Sequence, residues 1–177
     1  MLLVSRHRMT GFSSSLLFTG LLAFNLIYPA FPQATADFSG QWLFNPDKSN
    51  AGSGGPFLDA KTTLVITQTS DSILIDKKVI RPGSHDLITK EKYKLGGSTT
   101  LNPGQNQTKT ISTHWSDDHL TLFLYIDWIF SGGGSEREFQ GEDAYRLTDD
   151  GKTLTVFSTS QNTSGETRMV LVYDRVK

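Results

Sequence analysis

The side chains with the richest chemistry gather in one short stretch, His114-Trp115-Ser116-Asp117-Asp118-His119. Two imidazoles and two carboxylates within six residues are the raw material of a metal site. Zinc, however, takes three or four ligands at about 2 Å. With Asp117 and Asp118 as a hairpin turn, His114 and His119 share its outer face, so only two nitrogens converge, and His85 lies far along the chain. No metal and no other cofactor is expected. The remaining acids Glu136, Glu138, Glu142, Asp143, Asp149 and Asp150 sit in or beside turn-rich segments, where solvated carboxylates are the ordinary outcome. Hydrolysis by paired acids needs two carboxyl groups held across a cleft, and nothing singles out such a pair. The run Ser131-Gly132-Gly133-Gly134-Ser135-Glu136 lacks the strand-to-helix setting of a serine nucleophile elbow. There is no cysteine to supply a thiolate. The chain is therefore expected not to be an enzyme.

The elements that position these residues begin after an atypical opening. Residues 1–36 carry Arg6, His7 and Arg8, then an apolar run, then Ala34-Thr35-Ala36. A basic start, a short apolar stretch and a small-x-small ending make a secretory signal peptide, with cleavage before Asp37. The apolar run is broken by Thr19, Gly20, Asn25 and Pro29, whereas a membrane span takes about 20 predominantly apolar residues. The expectation is a secreted or periplasmic domain, 37–177, with no transmembrane anchor. Loss of Arg6 and Arg8 with the leader leaves 15 basic against 18 acidic side chains, a formal charge of −3. That balance excludes nucleic acid, which requires a concentrated basic footprint. A disulfide framework is excluded too, so the core alone must hold the domain together.

From residue 37 onward, apolar residues recur mostly with period two. Strands are predicted over 38–44, 63–69, 73–80, 87–95, 107–115, 119–127, 137–147, 153–160 and 167–176, separated by turn-forming clusters such as Asp149-Asp150-Gly151. Nine strands and no ordinary amphipathic helix make an all-β chain. For the hairpin around Asp117-Asp118, the expected register sets Trp115 opposite Leu120, Thr113 opposite Leu122 and Ile111 opposite Leu124. That puts Ile111, Thr113, Trp115, Leu122 and Leu124 inward and His114, Phe123 and Tyr125 outward. The segments 45–61 and 96–106 read as glycine-rich or polar loops.

The opening Phe38-Ser39-Gly40-Gln41-Trp42, the hairpins that follow and the closing Leu171-Val172-Tyr173-Asp174-Arg175 resemble the calycin superfamily, and in particular small exported bacterial lipocalin-like proteins of undefined role. The resemblance implies an antiparallel up-and-down lipocalin-like β-barrel of about eight to nine strands. It implies that Gly40, Trp42 and Arg175 act structurally in barrel closure, with the guanidinium lying over the indole near the closed end. The chain departs from a typical lipocalin in lacking cysteine and an evident helix before the last strand.

A barrel of this kind either encloses a small ligand or is filled by its own side chains. The lining drawn from the strand pattern includes Leu64, Ile66, Ile75, Tyr93, Leu122, Leu124, Tyr145 and Tyr173, which suits an apolar or amphipathic molecule with a polar tip. Trp128, Ile129 and Phe130, next to the glycine loop, form a candidate gate or interaction patch. The leading expectation is non-enzymatic binding of a small apolar or amphipathic ligand in the cell envelope or outside the cell. The alternative is a protein-interaction or surface-associated module with a filled barrel, its partner an envelope protein.

Overall fold

The computed structural model describes residues 34–50, 61–162 and 165–177. Most of the expected signal segment and the whole of 51–60 lie outside the described residues. The strands are β1 (Gly40–Phe44), β2 (Lys61–Gln68), β3 (Ser72–Ile80), β4 (Leu87–Lys94), β5 (Ser98–Leu101), β6 (Gln107–Trp115), β7 (Thr121–Gly132), β8 (Ser135–Thr148), β9 (Thr153–Asn162) and β10 (Gly165–Arg175). All pair antiparallel in one sheet ordered β4-β3-β2-β1-β10-β9-β8-β7-β6-β5, so consecutive strands neighbour one another and the first joins the last. This is an up-and-down, lipocalin-like barrel, with ten strands rather than eight or nine.

The seam between β4 and β5 is the one junction without a ladder. Side chains bridge it instead. The Thr113 hydroxyl donates to the Lys94 carbonyl at 2.7 Å and accepts from the Gly96 N–H at 2.9 Å, and the Lys94 N–H reaches Thr99 Oγ1 at 2.9 Å. Further along the seam, Lys109 Nζ meets the Glu91 carboxylate at 2.7 and 2.9 Å. These bonds explain why Thr113 is tolerated at a buried position, since a buried hydroxyl is costly only when unpaired.

The core follows from the alternation of side chains along each strand. In β2, Thr62, Leu64 and Ile66 are buried, and Val65 between them faces out. One cluster fills the barrel from Phe38 and Trp42 through Ile73, Ile111 and Leu122 to Leu154 and Tyr173.

Three expectations are corrected. The glycine-rich segment 96–106 contains β5. The strand expected to end at Asp127 runs on to Gly132, so Trp128, Ile129 and Phe130 belong to β7 and not to a loop margin. In the β6–β7 hairpin, Trp115 faces Leu122, Thr113 faces Leu124 and Ile111 faces Ile126, two residues from the expected register. The cause is the turn. Asp118 accepts the Leu120 N–H at 3.0 Å, Ser116 Oγ accepts the Thr121 N–H at 3.0 Å, and His119 adopts a left-handed φ of 54°. Those bonds draw Leu120 into a longer loop. A slip of two residues preserves the faces, where a slip of one would exchange them.

Candidate functional site

The closed end of the barrel is built around Trp42. Its indole N–H donates to the Phe38 carbonyl at 2.9 Å, and Phe38 stacks on Trp115 at 5.8 Å and meets Tyr145 edge-on. Arg175, opposite Trp42 in the β1–β10 ladder, lies with its guanidinium carbon 4.3 Å from the indole centroid. The same guanidinium donates to the carbonyls of Gly151 (2.8 Å) and Ser39 (2.9 Å). Gly40 has φ 143°, and a Cβ there would come within 2.7 Å of Arg175 Nη1. Glycine at this position thus serves both the backbone bend and the guanidinium's approach. Both Trp42 and Arg175 thus pack and close hydrogen bonds.

The eight lining residues expected from the sequence, Leu64, Ile66, Ile75, Tyr93, Leu122, Leu124, Tyr145 and Tyr173, are all buried and belong to the same cluster. Further along the barrel the inward positions change character. Lys77 follows Ile75 by two residues in β3, Glu91 precedes Tyr93 by two in β4, Lys109 precedes Ile111 by two in β6, and Asp143 precedes Tyr145 by two in β8. Strand alternation therefore places all four ionisable groups on the inner wall. Their spacing in register with buried residues was the signal that could have found them.

Glu91 is the hub of one side. It accepts both the Lys109 ammonium and the Tyr93 hydroxyl. The Lys109 and Glu91 side chains are only 12 % and 22 % exposed, whereas the other ion pairs stand more openly in solvent. Asp143 lies on β8, across the barrel from Lys77 on β3 by strand order. Burial pushes the Asp143 carboxyl above its ordinary range, against a hydrogen bond from Ser158 and the attraction of Lys77 and Lys109. Burial likewise lowers Lys77, with Asp143 opposing, Lys109 adding to the fall and Glu91 opposing it. Desolvation raises the phenols of Tyr93, Tyr145 and Tyr173, so all three remain neutral hydroxyls at ordinary pH.

Trp128 shares this wall. It stacks on Phe130 at 4.8 Å and carries the Lys109 ammonium 5.4 Å from its ring centroid, while its indole N–H is buried without an acceptor. Ile129, between them, turns to the other face. Two surface concavities, of about 260 and 340 Å³, lie beside the β7–β8 tip and across the outer faces of β7, β8 and β9. None of the four interior ionisable groups lines either one.

The histidine stretch is organised differently. His114 stacks on Phe123 and Tyr125 at 4.8 and 5.0 Å, and His119 stands in the turn instead of on the strand face. Among the described residues no three His, Asp or Glu side chains group to hold a metal ion.

No family model matches the sequence, and no curated protein is similar to it. Among solved structures, the chain is similar to zebrafish ileal bile acid-binding protein complexed with cholic acid, with 15% sequence identity, a TM-score of 0.44, and coverage of 78% of this chain and 98% of that one.

Proposed function

We propose that the protein binds a small amphipathic molecule inside its barrel, without catalysing its conversion, and does so in the cell envelope or outside the cell once the leader 1–36 has been removed. The observation that carries this reading is the division of the inner wall. Leu64, Ile66, Ile75, Leu122 and Leu124 form its apolar part, packed on one another in the free chain, and a ligand seated among them would gain about 0.8 kcal/mol for each methylene it buries. Tyr145 and Tyr173 lie among them, and further along come the inward Lys77, Glu91, Lys109 and Asp143. A wall of mostly apolar side chains with a few convergent polar groups is the usual constitution of a small-molecule site. A barrel stabilised only as a solid core gains nothing from a buried indole N–H that lacks an acceptor, as that of Trp128 does.

Native mass spectrometry of the exported protein, compared with the same sample after denaturation, tests this. A discrete small-molecule adduct lost on denaturation is expected. A bare chain that also shows no tryptophan fluorescence change with any twelve-carbon amphiphile would overturn it. The second reading, an interaction module, draws on Tyr125 and Phe157, which stand 40 % and 48 % exposed on the outer wall. A stable complex with an envelope protein in the same spectrum, with no small adduct, would favour it.

A further inference from the structure

We infer that the outer wall carries a binding site of its own, the concavity across β7, β8 and β9, and that it takes a saccharide unit stacked on Tyr125. This does not rest on the interior-binding reading, because the two sites lie on opposite faces of the same strands. The concavity measures about 340 Å³, at the low end of small-molecule sites, which run from about 300 to 1,000 Å³. Neighbouring ladder pairs build it. Tyr125 pairs with Glu142 and Glu142 with Thr159, while Asp127 pairs with Gln140 and Gln140 with Gln161. All of these have outward parity, opposite to the buried Leu124, Tyr145 and Val156. Ile126 and Gly141 also border the concavity but have inward parity, so the floor between the pairs is backbone.

Tyr125 is the platform. It is 40 % exposed, and the His114 imidazole stacks on its ring at 5.0 Å, nearly parallel, while Phe123 stacks on the same imidazole at 4.8 Å. The ring is thereby braced from β6, and its exposed part faces the concavity that it borders. The negative face of an aromatic ring attracts the electropositive C–H bonds on the flat side of a sugar ring.

The polar rim selects among ligands. Among the described residues no Lys or Arg borders the concavity, whereas the carboxylates of Asp127, Glu142 and Glu166 do, so an anion is repelled. No aliphatic side chain is directed into it, so a hydrocarbon tail gains little. The carboxylates are not a bare cation trap either. Glu166 holds Arg168, and Glu142 accepts the Tyr125 hydroxyl. Gln140 donates to Glu138 at 2.9 Å, which fixes the plane of its amide. The rim is thus a set of oriented acceptors interspersed with the amides of Gln140 and Gln161 and the hydroxyl of Thr159, which both donate and accept. A sugar hydroxyl, with one donor and two acceptor positions, can meet either kind. Side chains carried on strands hold such a set more precisely than a loop does.

The test is amide chemical-shift mapping of the purified protein titrated with cellobiose, maltose and chitobiose, with spermidine as a cationic control and dodecanol as an apolar one. At least one disaccharide should give saturable shifts in β7, β8 and β9 around Tyr125, Gln140 and Gln161, and spermidine should not displace it. Tyr125→Ala should abolish those shifts while the remaining amides stay in place, Tyr125→Phe should keep them, and Gln161→Ala should weaken binding by about fivefold. The inference is overturned if no disaccharide gives saturable shifts, if the shifts survive Tyr125→Ala, or if spermidine takes the site in their stead. Each of those results leaves interior binding standing, since that reading is tested by dodecanol and by shifts at the inward Leu122 and Leu124.

Discussion

Two indole N–H groups of the barrel are in opposite situations. Trp42, at the closed end, has its N–H on the Phe38 carbonyl and a guanidinium on its face that is itself tied to two carbonyls. Trp128, further along the inner wall, has an ammonium near its face and no acceptor for its N–H. One region spends its side chains on packing and satisfied hydrogen bonds. The other leaves donors over. A donor left unpaired costs about 1–3 kcal/mol, so a fold selected for stability alone would place a carbonyl or a carboxylate there. The contrast teaches that hydrogen-bond satisfaction is uneven along one barrel, complete at the Trp42 indole and lacking at that of Trp128.

Substitutions at the closed end should break the comparison most severely. Trp42→Ala removes a fully buried ring and leaves Arg175 without its platform, and a loss of about 3–5 kcal/mol is expected in chemical denaturation. A loss below about 1 kcal/mol would show that the end cap is dispensable. Gly40→Ala should cost less, about 1–3 kcal/mol. It forces a side chain into φ 143° and drives its Cβ against Arg175, so the guanidinium should leave Ser39.

Next in size is the seam. Glu91→Gln removes the charge that pairs with Lys109 and one acceptor of the Tyr93 hydroxyl, at a junction that has no backbone ladder. Breaking a partly buried, charge-assisted set should cost about 2 kcal/mol. Amide exchange should quicken in β4 and β5 before it does in β9 and β10, which pair over ten residue positions. Uniform exchange across all strands would mean that the seam is no weaker than its surroundings.

How much of this could be read from the chain differs between the same two regions. The closed end was legible through the resemblance to calycin barrels carried by Gly40, Trp42 and Arg175, and period-two alternation revealed nine of the ten strands. β5 escaped because Ser98-Thr99-Thr100-Leu101 is short and follows two glycines. The extension of β7 escaped because Trp128-Ile129-Phe130 is an unbroken apolar run, which carries no alternation. The hairpin register was displaced because hydrogen bonds from the Leu120 and Thr121 N–H groups to Asp118 and Ser116, invisible to a pattern of hydrophobicity, set the loop length. The apolar half of the inner wall was legible for the same reason as the strands. Its polar half was not, because charged residues such as Lys77, Lys109, Glu91 and Asp143 are ordinarily assigned to solvent, and their inward position follows only once strand parity is applied to charges as strictly as to leucines.

The smallest effects on stability, and the sharpest on the comparison, concern the pH response of the polar wall. Lys77 is lowered in the fold, so between that lowered value and about 10.4 the unfolded chain binds more protons than the folded one, and stability rises with pH through this window. Asp143 is raised, so from about 3.9 up to its raised value the folded chain binds more protons, and stability falls with pH there. Lys77→Met should remove the alkaline rise, and Asp143→Asn the acid-side fall, each without lowering stability at neutral pH, because each deletes a charge that burial disfavours. Thermal melts of the two variants from pH 3 to pH 10 distinguish the outcomes. If Lys77→Met keeps the alkaline rise, Lys77 is not the desolvated amine; if it lowers stability throughout, the ammonium already has a stabilising partner in the protein.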